Sequence, residues 1–152
     1  MSIRTIWLLI FSIILSGCEK QQQVFDEETT YTFSGKLVGE VFPGLPNYRS
    51  IEEGDDAEMC LILYLDNPIS VYYISPEGDT PCIAEGVSRL HVFTTREKYM
   101  SYDCFLWKKV LVSGRVSLGL SPHHHAEFLL ETDRISPPKH PFSMRNLKWN
   151  RL

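Results

Sequence analysis

Lys109-Val110-Leu111-Val112-Ser113-Gly114-Arg115-Val116 decides the fold class. Across 108–120, Val110, Val112, Val116 and Leu118 fall on one side of an alternation, with Lys109, Ser113, Arg115 and Ser117 on the other. A period of two is that of a half-buried β-strand. Gly114, in mid-strand, marks a place where the chain bends hard. Ser121-Pro122-His123-His124-His125 reads as the turn that follows, and 126–135 as a returning final strand.

Working outward, 31–41 alternates in the same way. Tyr31, Phe33, Leu37 and Val41 oppose Thr32, Ser34, Lys36 and Glu40, and Gly35 and Gly39 keep the phase. A long loop rich in Pro, Gly and acid follows over 42–56, of a length that in compact domains is often functional. The apolar run 59–65 reads as a core strand, Asp66-Asn67-Pro68 as a turn and 69–74 as its hairpin partner. A second Pro/Gly/acid loop is expected over 75–86, then a strand over 87–93. Thr95 is placed to cap a short helix over 96–106, with Tyr99, Tyr102 and Leu106 on one face.

Strand, hairpin, strand, short helix, hairpin is a mainly β order of the α+β class. It matches a small OB-like Greek-key barrel, in which Gly114 would take the bend of the penultimate strand. Another small β-rich domain or a sandwich is the alternative.

The N-terminus carries an address. Arg4 precedes an apolar run over 6–15, broken only by Ser12. About ten residues are too few for a helix to span a bilayer, which takes roughly 20, and the pattern is that of a signal peptide. It closes on Leu15-Ser16-Gly17-Cys18, which resembles the lipobox of bacterial lipoproteins. The resemblance implies cleavage before Cys18 and lipidation of its thiol and amino group, several acyl chains together giving stable anchorage. Glu19 is not the aspartate associated with inner-membrane retention. The expected location is therefore the bacterial cell envelope, on the outer membrane facing the periplasm. The expected organisation is a signal peptide over 1–17, a lipidated N-terminus and polar tether over 18–30, one β-rich domain over 31–136 and an irregular basic tail over 137–152. In that tail Phe142, Leu147 and Trp149 are the residues able to pack.

The net charge is −4, and Arg4 is the only charge lost with the signal peptide. A mildly acidic chain lacks the basic face that nucleic acid requires, and lipid rather than charge would hold it to the membrane. With Cys18 lipidated, Cys60, Cys82 and Cys104 remain in a compartment that permits disulfides. Cys82–Cys104 is the expected pair among three possible ones, with Cys60 a buried thiol inside an apolar run.

The last hairpin also resembles the domain-of-unknown-function 4431 family of exported bacterial proteins. The resemblance rests on 107–114 (Trp107-Lys108-Lys109-Val110-Leu111-Val112-Ser113-Gly114), His123-His124-His125, Phe128-Leu129-Leu130 and Ile135. Pro46-Asn47-Tyr48-Arg49-Ser50-Ile51, Gly54-Asp55 and Leu65-Asp66-Asn67-Pro68-Ile69 are similar as well. Where members more often carry Thr-Gly before the histidines, this chain has Ser121-Pro122. The resemblance implies an exported, β-rich protein and no particular chemistry.

Chemistry concentrates in the histidine run. If it is extended, His123 and His125 share a face with Glu127, a spacing that suits a divalent metal such as Zn, Cu or Ni. His91 and His140 are more distant candidates, and exposed turn histidines serve equally well in recognition. The acid-rich stretch 52–58 lacks the ligand spacing of an EF-hand. There is no Gly-x-Ser-x-Gly elbow, no phosphate-cradling glycine loop and no Cys-x-x-Cys pair. Strand tyrosines Tyr64, Tyr72 and Tyr73 read as cross-strand or core residues before they read as a stacking platform.

The expectation is thus a non-enzymatic envelope lipoprotein that binds a protein partner, with an inhibitor or immunity type as one form. Asn47, Tyr48, Asp55 and His124 mark the contact loops. Metal or small-ligand binding through His123, His125 and Glu127 is the alternative.

Overall fold

The computed structural model describes residues 23–138. Cys18 and the signal segment, His140 and the 139–152 tail with Phe142, Leu147 and Trp149 lie outside the described residues. In order, the elements are β1 (Val24–Phe25), β2 (Thr30–Pro43), β3 (Ala57–Ser75), β4 (Thr80–Phe93), α1 (Arg96–Ser101), a 3-10 turn (Asp103–Phe105), β5 (Lys109–Leu118) and β6 (Phe128–Ser136). Among the described residues no helix is long and apolar enough to cross a membrane.

The sheet runs β1-β3-β2-β5-β6-β4, and a further pairing of β4 with β3 closes it. Five strands therefore form a ring. β2–β3, β3–β4, β2–β5 and β5–β6 are antiparallel, while β4 and β6 run parallel through His91↔Leu129 to Phe93↔Glu131. A three-strand meander, a helix and a closing hairpin with one parallel contact make an OB-type Greek-key barrel. The fold class expected from the strand order is the one observed.

In β5, Val110, Val112, Gly114 and Val116 are buried and Lys109 and Arg115 exposed, as the alternation requires. Gly114 is required where it stands. A Cβ there would strike the Glu131 carbonyl across the ladder, and the β5–β6 register slips between Ser113 and Gly114. Phe128, Leu130, Leu37, Leu63 and Leu90 complete the interior with these valines. The helix expected over 96–106 ends at Ser101 and gives way to the 3-10 turn, yet Tyr102 is buried and Tyr99 and Leu106 are partly buried against the core. Thr95 caps α1 by accepting from the Lys98 N–H.

Four features of the strands differ from the sequence reading. Asp66-Asn67-Pro68 is no turn: β3 continues through it to Ser75, and the register with β4 slips between Tyr64 and Ile69. Pro68 has no N–H to lose and is tolerated at such a bulge. Asp66 accepts from the Ser34 hydroxyl (2.6 Å) and pairs with Lys109 (2.8 Å), which ties the bulge to its neighbours. The supposed loop over 75–86 is the tip of the long β3–β4 hairpin, with Ser75↔Thr80 closing a short turn.

Third, Val24-Phe25, placed in the tether, pairs in parallel with Ser70 and Val71. Phe25 packs on Tyr31 and Phe33 (4.7 and 5.0 Å between ring centres) and Tyr31 donates to Asp26 (2.7 Å), so ordered structure begins before Tyr31. Fourth, Val41 is exposed, because burial in β2 changes phase at Leu37-Val38.

The expected Cys82–Cys104 bridge is absent, and both are free thiols. Cys82 lies within a strand, opposite Tyr73 on the hairpin arm, and Cys104 in the 3-10 turn, where its thiol contacts the Ser101 carbonyl. The loop that was to bring them together does not exist.

Candidate functional site

Along β3, Leu61 and Leu63 point into the barrel, so Glu58, Cys60 and Ile62 point outward. On β4, Leu90 and Val92 point inward and His91 outward. The register sets Val38, Ile62, His91 and Leu129 side by side across β2, β3, β4 and β6. All four are buried although they lie on the outer face. The 119–127 segment sits against this face: the His125 ring stacks flat on Phe42 at 4.2 Å, and His124 lies edge-on to His91 and Phe93.

The three consecutive histidines are in a turn, not an extended strand, and they divide by role. His124 accepts from the Ser121 N–H at Nδ1 (3.0 Å), and His91 accepts from the His125 N–H at Nδ1 (3.4 Å). Burial, then the neighbouring histidines, lowers both rings' pKa, His91 to about 4. These two are neutral acceptors that fix the turn.

His123 and His125 face a carboxylate instead. Glu58 Oε2 lies 3.0 Å from His123 Nδ1 and 3.6 Å from His125 Nε2. Burial works to raise the Glu58 pKa, but the hydrogen bond and charge of His123, then the nearby His125 ring, hold it below the usual carboxylate value. The Tyr48 hydroxyl lies 2.7 Å from His123 Nε2, and its ring meets the imidazole edge-on. Burial, then the Glu58 charge, raises the Tyr48 pKa, so the phenol stays protonated; in the His123 tautomer that carries Nδ1–H toward Glu58, it donates to Nε2.

The 44–56 loop that carries Tyr48 is built around Asp55. This carboxylate is 6 % exposed and accepts from the N–H groups of Asn47 (2.9 Å), Arg49 (2.6 Å) and Ser50 (3.0 Å). The Arg49 N–H bond first, opposed by burial and aided by Ser50 and Asn47, lowers its pKa. Asp55 is therefore a brace facing inward, which corrects its expected place on the contact surface. Asn47 and Tyr48 are held by it. Tyr48 has φ 56°, a left-handed conformation that costs a non-glycine residue about 1–3 kcal/mol and persists only where its surroundings impose it.

Glu127 does not join His123 and His125. It is exposed, and its charge, after burial and Cys82, contributes to a raised pKa at Tyr73. Glu58 takes its place, and Cys60 joins it: one donor atom from each of Glu58, Cys60 and His125 lies within 4.8 Å of the others. Burial, then the Glu58 charge, pushes the Cys60 thiol up to about 12, so it is a neutral thiol. Glu58, Cys60, His91, Phe93, Tyr99 and His123 line a shallow cleft of about 170 Å³. Sequence reading missed Glu58 and Cys60 as partners of the histidines. Their spacing of two on one strand was the available signal. A larger cleft of about 390 Å³ is lined by Asp26, Glu27, Glu28, Thr29, Tyr72, Tyr73 and Ile74.

No family model matches the chain, and no curated protein matches it. Among solved structures it is similar to the small single-stranded DNA-binding protein from Streptomyces coelicolor. The identity is 14 %, the TM-score 0.35, and the match covers 72 % of this chain and 93 % of that one.

Proposed function

We propose that this chain is a membrane-anchored envelope lipoprotein, held by lipid on Cys18, whose barrel is a non-enzymatic binding module for a protein partner. The observation that carries the reading is the joining of the 44–56 and 119–127 loops through Tyr48, His123 and Glu58. OB-type barrels bind their ligands on the face of the second and third strands and with the two loops that flank it, and these are the corresponding parts of this chain. That step is an argument by fold. The site adds to it a loop conformation held under strain at Tyr48. The lipobox and the outer-membrane placement belong to the same proposal.

The test is a comparison of crosslinked partners in envelope membranes. Wild type, Tyr48→Ala and Ile83→Ala are expressed at equal levels, Ile83 being exposed on the hairpin arm away from the loops. A partner captured by wild type and Ile83→Ala and lost with Tyr48→Ala is the expected result. Identical capture by all three rejects the loop surface. Cys18→Ala is expected to leave an unprocessed, unlipidated precursor, and unchanged mobility and labelling reject the anchor.

A further inference from the structure

The geometry points to a metal site on the outer face of β3, in which His125, Glu58 and Cys60, with His123 as fourth donor, bind a divalent ion of the zinc, nickel and copper group. The inference does not depend on the protein partner proposed above.

Donor spacing is the first argument. Zinc sites with bonds of about 2.0–2.3 Å set their donors roughly 3–4 Å apart. The carboxylate, thiol and imidazole donors of Glu58, Cys60 and His125 already lie within 4.8 Å of one another. Small side-chain rotations close the difference.

The second argument is independent of clustering. The His125 side chain is 10 % exposed, and its Nε2 is buried with no hydrogen-bond partner among the described residues. Glu58 Oε2, at 3.6 Å, is beyond hydrogen-bonding distance. A buried polar atom left unpaired is costly and calls for a specific explanation. This one points at the carboxylate, from a ring already fixed by its stack on Phe42.

Neighbouring groups fit the same role. Metal-bound histidines are oriented by a partner on the other ring nitrogen. When His123 offers Nδ1 as donor, its Nε2–H meets the Tyr48 hydroxyl, 2.7 Å away. Two nitrogens, one carboxylate and one sulfur favour borderline-soft ions over calcium or magnesium. Cys60 enters as thiolate, and its proton is released to solvent as the metal–sulfur bond forms. The carboxylate comes from Glu58, not from the Glu127 that the sequence pattern suggested.

The experiment uses the full chain in detergent, without a histidine tag, stripped by a chelator and then titrated with zinc against a chromophoric competitor and separately with cobalt(II). One equivalent of zinc is expected at the site, with thiolate-to-cobalt absorption in the near ultraviolet. Cys60→Ser is expected to abolish that absorption, and His125→Ala to weaken zinc at least about tenfold. Should His125→Ala fail to fold, His123→Ala decides, because that side chain is half exposed on a turn; a loss of about tenfold is again expected. Uptake below about a tenth of an equivalent, an affinity unchanged by the folded histidine variants, or cobalt absorption that survives Cys60→Ser overturns the site.

Discussion

The inside of the barrel and the outer face beneath the histidine turn are both buried, and they are buried by different physics. Inside, Phe128, Leu63 and Val112 belong to one hydrophobic cluster. Outside, Asp55, His91 and His125 are covered because backbone N–H groups and a stacked ring hold them. The same strand serves both, with Leu61 and Leu63 facing in and Cys60 and Glu58 facing out. Burial of apolar area is non-directional and makes the fold. Directional hydrogen bonds to ionisable groups leave the outer face responsive to protons and ions. Damage to the first side should therefore appear as lost stability, and damage to the second as altered loop behaviour on an intact barrel.

The largest expected effect is on the inside. Phe128 is fully buried and meets Tyr73 edge-on at 5.6 Å. Phe128→Ala should cost about 3–5 kcal/mol in urea unfolding. A loss below about 1 kcal/mol would break the comparison by showing an interior that is not close-packed. Gly114→Ala comes next. Its Cβ has no room against the Glu131 backbone, and forcing the strands apart should cost about 1–3 kcal/mol. A variant as stable as wild type would mean that β5 and β6 do not approach as described.

The unequal legibility of the two regions follows from the same physics. Val110, Val112 and Val116 announced their strand because alternation is a local pattern, and the order of strands and helix then left few topologies. The helix cap at Thr95 and the face of Tyr99 and Tyr102 were local as well. Asp66-Asn67-Pro68 misled because turn residues and bulge residues are the same types. What separates them is whether β4 continues alongside, a long-range fact. Glu127 looked like the ligand because it follows the histidines at strand spacing, yet the carboxylate that meets them is Glu58 on β3, 65 residues from His123. Asp55 looked like a surface acid, and only the folding back of its loop onto the N–H groups of Asn47, Arg49 and Ser50 turns it into a brace.

That brace gives the middle prediction, which concerns the loop end alone. The folded pKa of Asp55 is depressed, so its contribution is fully present above the unfolded value of about 3.9 and is lost as pH falls through the lower folded value. Amide exchange at Asn47, Arg49 and Ser50 should therefore gain protection loss, beyond the intrinsic pH dependence, only below about pH 4. In Asp55→Ala the same amides should exchange fast at neutral pH, while those of Val110 and Leu130 keep their protection. Equal loss in barrel and loop would show that the two regions unfold as one unit.

Tyr48→Phe should give the smallest change in stability and the sharpest separation. It removes one hydroxyl from a partly exposed contact with His123 and leaves the ring, so unfolding free energy should move by less than about 0.5 kcal/mol. The loop end should still register the loss. Without its donor at Nε2, the His123 ring is free to change tautomer and to leave Glu58, and ring nitrogen shifts in NMR should report exchange that wild type lacks. Tyr48→Gly provides the control, because it deletes the hydroxyl and also relieves the left-handed backbone. If the Asp55 brace imposes the strain at Tyr48, glycine frees the His123 ring as phenylalanine does while the loop keeps its conformation. If glycine instead lets the 44–56 loop rearrange, then the Asp55 brace alone does not define that loop, and Tyr48 is part of what holds the two loops together.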